Sequence, residues 1–542
     1  MVIVLTNRGF FFACAALGLV IACSAGRPVS DYEPGTSAGG SPLGSGGSGA
    51  VPVPPEQELE GSFQAPVVSG RLVFSANPSS NRVAQIDVET LAVRVLDAGH
   101  APTYLAPLPT GATEGGALVL NTRSRDASLL LLSNEEAGET RSLRVPVHEG
   151  ANSWAIGASG RFAIAWTASG GSGSDGHQDI TIIEPSERPD VMQLGVGYRP
   201  TAIHISEDET RAVVVSNPGL TVIELGEAAT SGVLREYPLP MVDGARDVSV
   251  TPDGRLALVR LPGQGSLLIL DLETGEEIAI PLPGELSDLD LSRDGALAVG
   301  VIRPDGRGDG EASMGGADNL GSAGAASQDA QKSLVLTFPL ERILSNPSQF
   351  DVVEVEDFVG SVSLTEDQRS ILAFTNALAN PRVWIIDAET RSQRAVDLRA
   401  PVKSVLPSPD GRHAVAVLSP PSGSASRGAV AFLPIDRPLP PRIEGTSSLV
   451  FHVVFSPEGD RALITTRGDS STKSVALVAG FPTLSVQSFE LPSLALAAFI
   501  VGPLEKGIVS QAHPEGRITF IDLPRGEVVT LTGYELGSRV IE

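Results

Sequence analysis

Cysteine is confined to Cys14 and Cys23, and the rest of the 542-residue chain has none. A disulfide framework, a thiolate metal site and a cysteine nucleophile are thereby excluded from the body of the protein. Histidine is sparse: seven residues stand far apart, so no helical His pair is available for a metal. The chain lacks a Walker loop, a dinucleotide fingerprint and a Gly-x-Ser-x-Gly elbow. Basic residues are few, 39 Lys and Arg against 64 Asp and Glu, for a net charge of −25. With no Lys/Arg cluster to displace counterions, nucleic acid is excluded as a partner. Aromatic residues make up only 5%, with Trp154, Trp166 and Trp384 dispersed.

What is abundant is turn chemistry, 58 Gly and 41 Pro, and a recurring segment. Its clearest copy is Ser408-Pro409-Asp410-Gly411-Arg412, followed by the apolar run His413 to Val417. Proline at the second corner and glycine at the fourth suit a type I turn, and the run after it suits a strand buried on both faces. Near copies begin at Thr251, Ser292 and Ser456, and looser ones at Gly157, Ser206 and Thr365. A period of forty-odd residues containing four short strands predicts β-propeller blades.

A second feature recurs at the end of the third strand. Asp87, Asp271, Asp387 and Asp522 each precede a turn, as in Asp271-Leu272-Glu273-Thr274-Gly275. An Asp there bonds the backbone two residues on, which assigns these carboxylates to structure, not catalysis. Together with Gly197-Tyr198-Arg199-Pro200 and Val213-Val214-Val215-Ser216-Asn217, these motifs resemble the YVTN-type and WD40-like repeats of bacterial surface and periplasmic proteins. The YVTN tetrapeptide itself is absent. The resemblance covers about residues 67–542 and implies an all-β propeller of about 8 to 10 four-stranded units.

Units are expected to begin near Pro102, Ser153, Pro200, Ala245, Ser287, Gly360, Val402, Leu449 and Leu494, after a first unit starting at Arg71. That first unit lacks a leading strand, and Gly537 to Ile541 is expected to supply it, closing the ring by joining the two termini. Ten units in one ring, fewer irregular ones, and two smaller rings are all compatible with the spacing.

Ahead of the repeats, Arg8 precedes the apolar run Gly9 to Ala22, at about 14 residues too short to span a bilayer but suited to a signal peptide. Val20-Ile21-Ala22-Cys23 resembles a bacterial lipobox. The resemblance implies cleavage after residue 22 and acyl chains on Cys23 that hold the protein in the lipid bilayer; an ordinary signal peptide with a chance cysteine is the alternative. Ser24 after the cysteine implies the outer membrane. Residues 23–66, rich in Gly, Ser and Pro, read as a flexible linker reaching on the order of 35 Å. A second Gly/Ala/Ser-rich stretch, about 303–331, interrupts one unit; its Asp305, Asp309, Glu311 and Asp318 match no EF-hand spacing.

These features favour a membrane-anchored, extracytoplasmic scaffold in the cell envelope that binds a protein or a glycan and needs no cofactor. Similar lipoprotein propellers serve outer-membrane barrel assembly. The rival is a lactonase-like hydrolase with a metal or acid/base cluster in the central funnel, where His204 and His452 lie on first strands; a surface-layer component is a third. Three or more converging carboxylates or histidines on the first strands favour the enzyme, and apolar or uncharged first strands the scaffold.

Overall fold

The computed structural model describes residues 66–534 and 540–541, apart from 111–114, 133–138, 169–177, 228–229, 241–246, 262, 305–331, 421–422 and 470–471. The expected signal peptide, Cys23, the linker and nearly all of the interrupting stretch lie outside the described residues. Within them, forty strands form ten antiparallel four-stranded sheets, each taken in chain order, and one further strand is added to the last. The first strands begin at Val67, Pro102, Ser153, Pro200, Asp247, Leu286, Ser361, Val402, Leu449 and Ala495, which head blades 1 to 10. Helix is limited among the described residues to Leu340–Ser345 and the short 3-10 turn Gly502–Leu504.

Burial follows position in the blade. Second and third strands are apolar and buried on both faces, as in His413–Leu418 and Gly428–Pro434. Fourth strands alternate or face solvent, as in Gln393–Asp397. Blades can hide their middle strands only against each other, and the ten hydrophobic cores each draw on two successive blades. The last joins blade 10 to blade 1: Ile508, Ile518, Phe520, Leu531 and Tyr534 pack with Val73, Ala84, Ile86 and Val88. The chain is therefore one closed ring.

That closure differs from the sequence expectation. Blade 1 has its own first strand, Val67–Ser69, paired with Leu72–Asn77 through a hairpin whose Gly70 has φ +56°. This strand fills the edge that the C-terminal segment was expected to take. Val540–Ile541 instead pairs with Val528–Thr532 as an outer fifth strand of blade 10. Side-chain packing, not strand exchange, closes the ring.

The repeated turn fixes the entry to each second strand. Gly411 N donates to Ser408 O at 2.9 Å, Arg412 N to the Asp410 carboxylate at 3.1 Å, and His413 N to Ser408 Oγ at 3.1 Å. The same corner bond forms at all the other copies, and also at Gly502, whose segment keeps the second-corner proline, Pro503, but lacks the Ser/Thr, Asp and Gly. Turns of adjacent blades interlock: a Cβ on Gly411, at φ +69°, would stand 2.5 Å from the Asp367 carboxylate, while one on Gly263, at φ +74°, would meet nothing. Gly411→Ala is therefore expected to cost about 2 kcal/mol and Gly263→Ala about 1 kcal/mol, read as shifts in the urea midpoint. The Asp residues ending third strands act as expected, with Thr90 N and Thr274 N donating to Asp87 and Asp271 at 2.9 and 2.8 Å.

Candidate functional site on the first strands

First strands of neighbouring blades lie against one another at several junctions around the ring, while the fourth strands splay outward, so the first strands surround the axis. In six of them, in blades 2, 4, 6, 8, 9 and 10, the pairing to the second strand slips by one residue near its start. Such a bulge re-aims the extra residue out of the ladder.

Most side chains here are apolar or hydroxyl-bearing. The acidic, basic and imidazole side chains are those of His204, Asp247, Asp288, Asp290, Lys403 and His452. Alternation puts Asp288 and Asp290 on the same face of their strand, toward blade 7. Asp288 accepts Val362 N and Leu289 N, both at 2.9 Å, and Asp290 accepts Leu364 N at 2.7 Å and Leu291 N at 2.9 Å. The two carboxylates thus tie the first strand of blade 6 to that of blade 7. Loss of water pushes the Asp288 carboxyl up to about 7, outweighing its two donors, and raises Asp290 as well.

Arg260 makes a comparable junction one blade earlier. It pairs with Asp247 and donates from Nη1 to the carbonyls of Leu286 and Ser287 at 3.1 and 2.7 Å. His452 Nδ1 accepts Ala498 N of blade 10 at 3.2 Å, its ring stacked on Phe451 with centroids 5.1 Å apart. Burial lowers the imidazoles of His204 and His452 to about 4, so both are neutral near pH 7. His204 differs from the others: its Nε2 is buried without a partner.

Chemically, these groups join blades pairwise and do not converge. Among the described residues no three of His, Cys, Asp and Glu come together to hold a metal ion. Of the sequence candidates, His204 and His452 sit on first strands as expected but in blades 4 and 9, far apart around the ring. Asp288 and Asp290 were missed. Their signal was present: Leu286-Ser287-Asp288-Leu289-Asp290-Leu291 places acids two and four residues before Ser292, where most other copies carry small or apolar residues.

No protein-family model matches this chain, and no curated protein does. Among solved structures it is similar to one described as the eukaryotic initiation factor, at 13% identity and a TM-score of 0.51, over 74% of this chain and 91% of that one. It is also similar to the dihydro-heme d1 dehydrogenase NirN in complex with DHE, at 13% identity and a TM-score of 0.42, over 78% and 72%. A third likeness is to the Myceliophteria thermophila Cps50 (Swd1) beta-propeller domain, at 13% identity and a TM-score of 0.32, over 59% and 95%. At such identity a likeness bears on fold alone. That fold, by the order and closure of its sheets among the described residues, is a β-propeller with ten blades.

Proposed function

We propose that the ring is a binding scaffold, held to a bacterial envelope membrane through acylated Cys23 and presenting its loops to a protein or glycan partner. The observation that carries this reading is the use made of the polar groups around the first strands: Asp288, Asp290 and His452 accept backbone N–H groups of the next blade's first strand, and Arg260, from the second strand of blade 5, donates to backbone carbonyls of blade 6. A catalytic funnel needs such groups aimed together at one reacting atom. A rigid ring with variable loops on two faces suits recognition instead. The lipobox-like Val20-Ile21-Ala22-Cys23 and the Gly/Ser-rich segment after it support the anchor.

The hydrolase reading has one observation in its favour, the unpartnered Nε2 of His204, a neutral imidazole available as a base. Among the described residues no hydroxyl or carboxyl is hydrogen-bonded to that nitrogen.

Fractionation tests the anchor. Cys23→Ser is expected to move the protein from the membrane to the soluble extracytoplasmic fraction and to abolish labelling by an alkyne fatty acid. Unchanged membrane retention without label would overturn lipid anchoring. Affinity capture from native membranes, comparing parent and Cys23→Ser, tests the scaffold: a stoichiometric envelope component retained in detergent is expected, and turnover of lactone substrates without such a component would favour the hydrolase.

A further inference from the structure

On the rim where blades 1 and 2 meet lies a depression of about 490 Å³, lined by Pro78, Ser79, Asn81, His100, Ala101 and Arg123. It has no carboxylate in its lining, in a chain whose acids outnumber its bases 64 to 39. The contrast with a second inter-blade depression is direct: between blades 9 and 10, Glu458, Asp460 and Glu505 share the lining with Arg461.

The donors of the first depression are fixed by backbone. Asn81, at φ +59°, accepts Ala101 N on its Oδ1 at 2.9 Å, which leaves its Nδ2 as a donor. His100 N is held by Ser124 Oγ at 2.9 Å, and its carbonyl accepts Arg123 N at 3.1 Å, so the imidazole and the guanidinium stand on one braced corner. Both side chains are exposed. The acids of the neighbouring loops are committed elsewhere: Asp126 to Asn121, Ser124 and Arg144, and Glu149 to Arg125 at 2.7 Å. Among the described residues no carboxylate pairs with Arg123. A guanidinium without a carboxylate partner in an acidic protein is a ready oxyanion partner.

Size narrows the ligand. The space exceeds what a lone phosphate or carboxylate group fills and falls in the range of small-molecule sites. Pro78 and Ala101 give it an apolar wall, and Ser79 and Asn81 give it hydroxyl and amide partners for ligand hydroxyls. We propose that this corner binds an acidic monosaccharide, a sugar phosphate or a uronate, with Arg123 and His100 on the oxyanion and Asn81 and Ser79 on the ring hydroxyls. The proposal rests on the ring being a binding scaffold but not on its anchor.

The test is calorimetric titration of the detergent-solubilised full-length chain with glucose 6-phosphate, glucuronate and glucose. Saturable binding of at least one acidic sugar, at least tenfold tighter than glucose, is expected, and the tighter of the two identifies the oxyanion. Arg123→Ala is expected to weaken it at least tenfold and His100→Ala severalfold, with melting temperatures unchanged because neither side chain is packed. Arg188→Ala, exposed on the opposite rim, is expected to leave it as it was. Binding of glucose as tight as that of either acid, no saturation by any of the three, or binding indifferent to Arg123→Ala would overturn the proposal. Failure here alongside retained capture of an envelope component would leave the scaffold reading standing.

Discussion

Phe520→Ala is expected to lower the stability of the ring by about 3–5 kcal/mol, whereas removal of residues 540–542 is expected to change it by less than about 1 kcal/mol. Phe520 is 4% exposed and belongs to the core that closes blade 10 onto blade 1, beside Val73, Ile86, Ile518 and Leu531. Truncation there removes a large aromatic side chain from a junction that no strand exchange backs up, and the cavity forms between two segments more than four hundred residues apart in sequence. The terminal strand, by contrast, matches only Ile541 to Leu531 and Val540 to Thr532, a two-residue pairing on the outer edge of blade 10. Urea unfolding of the two variants measures the contrast. If the short deletion unfolded the ring and Phe520→Ala left it intact, the termini would be joined by an exchanged strand after all.

The same junction shows what the sequence could and could not say. Blade starts were legible to within about two residues wherever a turn copy and a doubly buried strand followed one another, because both signals are local: turn bonds such as Gly411 N to Ser408 O span three residues, and the strand after the turn is apolar throughout. Val67–Ser69 was missed because it is three residues long and turns at Gly70 without the usual letters, and the Gly502 turn because Gly502 and Leu504 replace the hydroxyl and the carboxylate that mark most other copies. Ring closure depends on which faces of blades 1 and 10 meet, which no local pattern encodes. The candidate site fared likewise. His204 and His452 could be put on first strands by alternation, but the partners of Asp288 and Asp290 are 74 residues away along the chain, across the interrupting stretch.

Asp288 should also leave a signature in the pH dependence of stability. Its carboxyl titrates near 7 in the folded chain and near 3.8 when unfolded, so between those values folding takes up a proton. Its contribution is therefore most favourable at low pH, declines as pH rises from about 4 to 7, and is level above that. The full difference corresponds to ~4 kcal/mol, and because the side chain keeps part of its surface in water, about 2 kcal/mol is expected. His204 and His452 work in the opposite direction. Their folded values near 4 lie below the ordinary 6.5, so they withdraw stability as pH falls through that window. The parent profile mixes these contributions, and the comparison with Asp288→Asn separates them. An amide at residue 288 can still accept Val362 N but turns its NH2 toward Leu289 N or the reverse, so at pH 5 the variant is expected to be about 1 kcal/mol less stable than the parent. By pH 8 the parent has lost its proton advantage and the variant is expected to match or exceed it. The charged neighbours facing Asp288 are Asp290 on its own strand and Arg260 from blade 5, already engaged with Asp247; Asp290, raised by the same loss of water, keeps a residual slope of the same sign in the variant. Melting temperatures of parent and variant between pH 5 and 8 measure the difference, and a constant offset across that range would remove Asp288 from the pH response and return the weight to Asp290.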